Sequence, residues 1–293
     1  MAENLNQKAA EISRKARFKL FLSEDDKPQS NKSNSYIRAI DLVCEMIKRH
    51  PVGFGQIQNL WLISSSEKLE SLYHFLLQES RNKHSIWFFD DQPVSYLRDG
   101  FCSAAIKQYH QFLVELRFEE ALIDAYSDKL NLNGRELDLL ETKHALPNYL
   151  TEELQIPEGR DKLQLVKQRI NQSVFRSIIR KNYQGRCCIT GLNIPAVNRA
   201  SHIIGWAKDP SKRLDPRNGL YLSATYDAAF DRHLISLDEN YRIILSTELK
   251  EFHTQESFKQ HFKSIEGKLI EVPLVMPPSD EYLAVHRQLG SFN

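Results

Sequence analysis

The chain has 293 residues, with 39 Lys and Arg against 38 Asp and Glu and a formal charge of +1 at pH 7. That length supports one large or two ordinary domains whose core needs no staples, and the near-neutral charge excludes a generally basic coat for nucleic acid. Four cysteines with no Cys-x-x-Cys pair exclude a zinc ribbon, and no apolar run approaches the roughly twenty residues of a membrane span.

Reduced thiols and a polar start, Met1-Ala-Glu-Asn, predict a soluble cytoplasmic protein with no membrane partner. Residues 1–22 carry Ile12, Phe18, Phe21 and Leu22 at spacings that predict a short helix. The polar stretch 23–35, with Pro28, reads as a linker. Apolar residues at 36, 37, 40, 43, 44 and 47 predict a helix over Tyr36–Arg49, ended by His50-Pro51. Leu60–Ile63 reads as a short strand or an extended buried run. Ser64 to Glu67 reads as a capping box that opens a helix over Lys68–Gln78. Trp87, Phe88 and Phe89 fall in a loop or strand at 85–92. Helical period returns over Ser103–Leu116, where His110 lies near the apolar face and reads as a structural histidine, and the aromatics read as core.

Residues 1–120 therefore read as a mostly helical domain without a catalytic constellation, suited to target recognition or oligomerisation. Between Glu115 and Glu153 ten acids face four bases, and residues 121–160 read as a connector with some helix. Residues 161–293 form the second domain. It opens on a helix over Asp161–Asn182 with Leu163, Val166, Ile170, Val174, Phe175, Ile178 and Ile179 inward and a basic last turn, Arg180 and Lys181, that suits the helix dipole.

Three features follow in order. His202 sits in the apolar-flanked run Ala200–Ile204, which reads as a strand end; Asn218-Gly219 opens the run Leu220–Leu222; Asp227 and Asp231 lie four apart, which on a helix puts both carboxylates on one face. From Arg176 to Arg217 nine Lys and Arg face two acids, a local polyanion site on a near-neutral chain. Downstream, Tyr241–Ser246 reads as a strand, Glu256–Phe262 as a short helix, Leu269–Val275 as extended, and Ser279–Leu289 as a terminal helix with Ser279 as N-cap. Plain structural readings stand beside the chemical ones: His202 as a packed core histidine, Asn218-Gly219 as a hairpin turn, Asp227 as the complement of a helix N-terminus and Asp231 as a surface acid.

That order, with the flanks Gly185-Arg-Cys-Cys-Ile-Thr-Gly191, Asn218-Gly-Leu-Tyr-Leu222 and Phe230-Asp-Arg-His-Leu-Ile235, resembles the HNH nuclease motif, the ββα-metal finger, over roughly residues 165–290. The resemblance implies an α+β protein: a mostly helical N-terminal domain followed by a ββα-metal (HNH) nuclease domain. It implies a metal-dependent endonuclease acting on double-stranded DNA, in restriction or phage defence, often as a homodimer; the alternative is a finger that binds nucleic acid and has lost catalysis. In that scheme His202 is the general base, since a neutral imidazole is poised to take a proton from water near pH 7. Asp227 and Asp231 hold Mg²⁺ or Mn²⁺, the hard cations that carboxylates favour. Asn218 fixes the loop between the strands. Arg180, Lys181, Arg186, Lys208, Lys212, Arg213 and Arg217 are the expected DNA contacts. The chain departs from the family pattern at Ser201, where relatives often carry an Asp or His ligand, at Asp227, often His or Asn, and at His233, often Gly.

Overall fold

Helical spacing of apolar residues builds the first half of the chain, and among the described residues regular strands begin only at Asn198. The computed structural model describes residues 2–23, 31–128, 132–151, 162–205 and 209–292. It is α+β, with helices α1 (Ala2–Ser23), α2 (Lys32–Arg49), α3 (Ser66–Arg81), α4 (Phe101–Asp128), α5 (Gly134–Lys143) and α6 (Lys162–Asn182) ahead of two small strand pairs. Most of the expected linker, residues 24–30, and residues 129–131 and 152–160 of the expected connector lie outside the described residues. Two compact units emerge: Met1–Val114 with Leu146–Leu154, and Glu115–Ala145 with Gln155–Asn293.

In the first unit Phe18 lies 5.3 Å from the ring of Tyr109, 5.4 Å from Phe112 and 6.0 Å from Trp61, an aromatic cluster buried as core. His110 is wholly buried and holds Ser66 Oγ and Tyr149 OH with its two ring nitrogens. Leu60–Leu62 is a 3₁₀ turn, where the sequence suggested an extended run. Its cause is local: Asn59 Oδ1 accepts from the Trp61 N–H at 2.9 Å and bends the backbone before a strand can form. The cap of α3 is Ser65, one residue beyond the expected Ser64, accepting from the Lys68 N–H.

In the second unit the acidic stretch is largely helix. α4 continues well past Leu116, and α5 starts on a capping box in which Asn133 and Glu136 satisfy each other's backbone N–H. Their acids face α6. Ser173 Oγ donates to Glu115 at 2.6 Å, Ser177 Oγ to Glu119 at 2.8 Å and Asn171 Nδ2 to Glu141 at 2.7 Å, while Lys181 pairs with Glu119 and Lys167 with Asp138 and Glu141.

After α6 come β1 (Asn198–His202), β2 (Gly219–Ser223) and α7 (Ala224–Asp231); β1 and β2 pair antiparallel with His202 opposite Gly219. A second pair, β3 (Ile235–Leu237) with β4 (Ile243–Leu245), is buried on the apolar residues 235, 237, 243 and 245. The expected short helix at 256–262 is one α turn followed by a π turn to Lys263. The last helix, α8 (Asp280–Leu289), buries Tyr282, Leu283 and His286, and Ser279 occupies its cap position without a side-chain bond. Gly219 has an ordinary extended φ, so its lack of a side chain serves close approach: a Cβ there would run into Ile179 of α6 and come within 2.8 Å of the Phe175 ring.

Candidate active site

Because α6 meets the strand pair at Gly219, the Phe175 ring lies flat on His202, centroids 3.7 Å apart and planes 11° apart. His202 ends β1, and its Nε2 is 3.1 Å from the Arg213 carbonyl oxygen. A carbonyl only accepts, so Nε2 carries the proton and the lone pair of the neutral ring sits on Nδ1. Burial pulls the His202 pKa below its ordinary value, opposed by the bond to the Arg213 carbonyl and by the charge of Asp231.

The carbonyl that orients the ring is itself held. Asn218, with 0% exposure, accepts from the Ile204 N–H at 2.8 Å and donates to the carbonyls of Ile204 and Lys212, both at 3.1 Å. The Arg213 side chain reaches buried Glu141 at 2.6 Å, and Arg217 forms a two-pronged pair with buried Asp215, which also accepts from Tyr282 OH of α8 at 2.9 Å. The described part of the loop between the strands is therefore held at Ile204, Lys212, Arg213 and Asp215.

α7 starts directly after β2 and carries Asp227 and Asp231 one turn apart. Ser201 is buried and its Oγ donates to Asp231 Oδ1 at 3.2 Å, close enough to Asp227 to favour that carboxylate's charged form as well. Burial, and then the charge of Asp231, raise the Asp227 carboxyl above its usual pKa, with Ser201 pulling the other way. His202, Ser201, Asp227 and Asp231 line one cleft of about 520 Å³, which His233, His286 and Leu289 also line. An imidazole and a carboxylate pair lining one cleft are side chains able to take up a proton and to hold a cation.

Residues 187–238 match the HNH endonuclease family. No curated protein matches the chain. The matched HNH segment covers β1, β2, α7 and the start of the second strand pair, and a helical N-terminal region precedes it. Two side chains outside the match reach the same place: Phe175 of α6 stacks on His202, and His286 of α8 lines the cleft.

Among the described residues no three His, Cys, Asp or Glu side chains converge as a ready metal cage. The cleft instead offers two neighbouring carboxylates, and burial together with the charge of Asp231 raises Asp227. Two anions pressed together in a partly buried cleft fit a hard cation that keeps water and phosphate as its remaining ligands.

The expected DNA contacts separate into groups. Lys181, Arg213 and Arg217 are bound to Glu119, Glu141 and Asp215 of the protein itself, so the last two build the loop. Lys212 lies 3.5 Å from Asp209 and over the Tyr282 ring, Arg186 is exposed, Arg180 is half-buried, and Lys208 lies outside the described residues. Asn218 reaches its partners entirely through backbone groups of the HNH loop. Sequence reasoning missed Ser201 as the carboxylates' hydrogen-bond partner, Phe175 as the wall of the base, and His286. Only His286 left a signal: it shares a face with Tyr282 and Leu283 at helical spacing.

His233 has a left-handed backbone, φ +55°, which costs a residue with a Cβ about 1 kcal/mol. Among the described residues no helix is long and apolar enough to cross a membrane.

Proposed function

We propose that the protein is a metal-dependent DNA endonuclease that hydrolyses phosphodiester bonds of double-stranded DNA. The observation that carries this reading is the cleft itself: His202, with its proton held on Nε2 by the Arg213 carbonyl, shares one space with the carboxylate pair Asp227 and Asp231.

In this reading Nδ1 of His202 takes the proton of the attacking water, and burial keeps the ring neutral and ready. Phe175 holds the ring plane, and Asn218 is a positioning residue that fixes the loop bearing the Arg213 carbonyl. Ser201 orients the carboxylates, and the nearby charge of Asp231 favours the imidazolium once the proton has moved. Asp227 and Asp231 hold Mg²⁺ or Mn²⁺, which when bound neutralises charge on the phosphoryl oxygens and assists departure of the 3′ oxygen. Arg180, Arg186 and Lys212 contact flanking phosphates. We assign the enzyme to restriction or phage defence in the cytoplasm, acting as a homodimer so that two clefts cut both strands; the resemblance of its two-part layout to bacterial HNH proteins supports this.

Purified protein incubated with supercoiled plasmid and Mg²⁺ or Mn²⁺ is expected to nick and linearise it, and EDTA to stop the reaction. His202→Ala is expected to bind DNA and leave it intact. Cleavage by that variant would remove His202 as the base. DNA binding without cutting by the wild type would favour a finger that has lost catalysis.

A further inference from the structure

The cleft is also lined by two histidines that the reaction described above does not use. His286 is 1% exposed and stacks on Phe230, centroids 3.8 Å apart and planes 7° apart. Its Nδ1 is 2.9 Å from Ser236 Oγ, and its Nε2 is 3.0 Å from both the Phe230 carbonyl oxygen and His233 Nδ1. The Phe230 oxygen only accepts, so the His286 proton is on Nε2. That N–H lies between the carbonyl and His233 Nδ1, which accepts, while the Ser236 hydroxyl donates to His286 Nδ1. With Nδ1 accepting, the neutral ring of His233 carries its own proton on Nε2. One carbonyl thus sets the tautomer of both rings.

The backbone sets where the His233 side chain starts. His233 is left-handed at φ +55°, in the turn that closes α7, with the Leu234 N–H returning to the Ala229 carbonyl at 2.9 Å, and glycine or asparagine adopts that conformation more readily. From that turn His233 lines the cleft that also holds His202 and the two carboxylates.

We propose that His233 is a further catalytic residue: its Nε2–H donates a hydrogen bond to a non-bridging oxygen of the scissile phosphate, and His286 is the positioning residue that fixes its tautomer. The proposal rests on the endonuclease reading above. His233 stays neutral and transfers no proton; it is a preorganised donor aimed at charge that grows during phosphoryl transfer.

The test compares His233→Gly and His233→Asn. Both tolerate the left-handed backbone, and only asparagine returns an N–H donor. On a short duplex with Mg²⁺, His233→Gly is expected to lower kcat by about 100-fold with KM within about twofold, and to melt no lower than the wild type. His233→Asn is expected to recover about tenfold of that loss. His286→Phe, which keeps the stacking area on Phe230, is expected to lower kcat in the wild type and to have no further effect in the His233→Gly background. Equal kcat for His233→Gly and wild type overturns the role of His233 and leaves the endonuclease reading standing. A loss from His286→Phe in both backgrounds overturns its action through His233. A wild type that does not cleave overturns the endonuclease reading and this proposal with it.

Discussion

Burial lowers the proton affinity of His202, and that direction sets where the base proposed at this position would work. The base acts unprotonated, so activity rises with pH through its pKa; the acid limb of kcat/KM is expected below the ordinary histidine value of about 6.5. A limb well above that value would contradict the assignment. The same direction enters stability. Because the folded-state pKa is depressed, unfolding takes up a proton at intermediate pH, so this histidine favours the folded state above about pH 6.5 and that contribution is lost as pH falls. Asn218 acts through the backbone: replacing it with alanine strands the Ile204 N–H and two carbonyls in the interior, at a cost on the order of 3 kcal/mol in urea unfolding. The order His202, Asn218, Asp227, Asp231 was legible because side chains announce themselves in sequence. The Arg213 carbonyl was not, because every residue has one and only the fold decides which of them meets an imidazole. Ser201 stands where relatives often carry a ligand, and the structure shows its hydroxyl donating to Asp231 instead.

Among the elements, α6 and the strand pair were readable from period and punctuation, since Phe175, Ile178 and Ile179 fall on one face and Gly219 opens an apolar run. The acidic stretch was not. Ten acids in sequence look like a solvated connector, but Glu115, Glu119 and Glu141 are partners of α6 and of the inter-strand loop, and such pairing over 58 to 72 residues leaves no local mark. Glu141 shows what the layer contributes. It is buried and holds Arg213, whose carbonyl orients the base, so Glu141→Ala leaves a guanidinium without its carboxylate. The expected loss is about 3 kcal/mol of stability, with a lower kcat under conditions where the variant is folded. Unchanged unfolding midpoints would show that this pair does not brace the loop. The 3₁₀ turn at Leu60–Leu62 illustrates the opposite limit: an apolar run looked extended, and one asparagine side chain settled it otherwise.

For the molecule as a whole, charge that looked available to DNA is partly consumed within the fold. Of the seven expected contacts, Lys181, Arg213 and Arg217 are bound to buried protein carboxylates, and Lys212 to the part-exposed Asp209. If the four not held by buried carboxylates meet phosphates, the slope of log K against log salt is expected near −3 to −4, where seven contacts would give about −6. A slope near −6 would mean that the internal pairs open on binding. The family match ends at 187 and 238, yet the ring lying on His202, the isoleucine seated against Gly219 and the histidine behind His233 all fall outside those borders. Grafted between those borders into a foreign host, the signature would arrive with every letter intact and its imidazole unroofed. The smallest transplantable cassette therefore runs from the long helix beginning at Lys162 to the terminal one ending at Leu289, together with the acid-bearing helices that brace it.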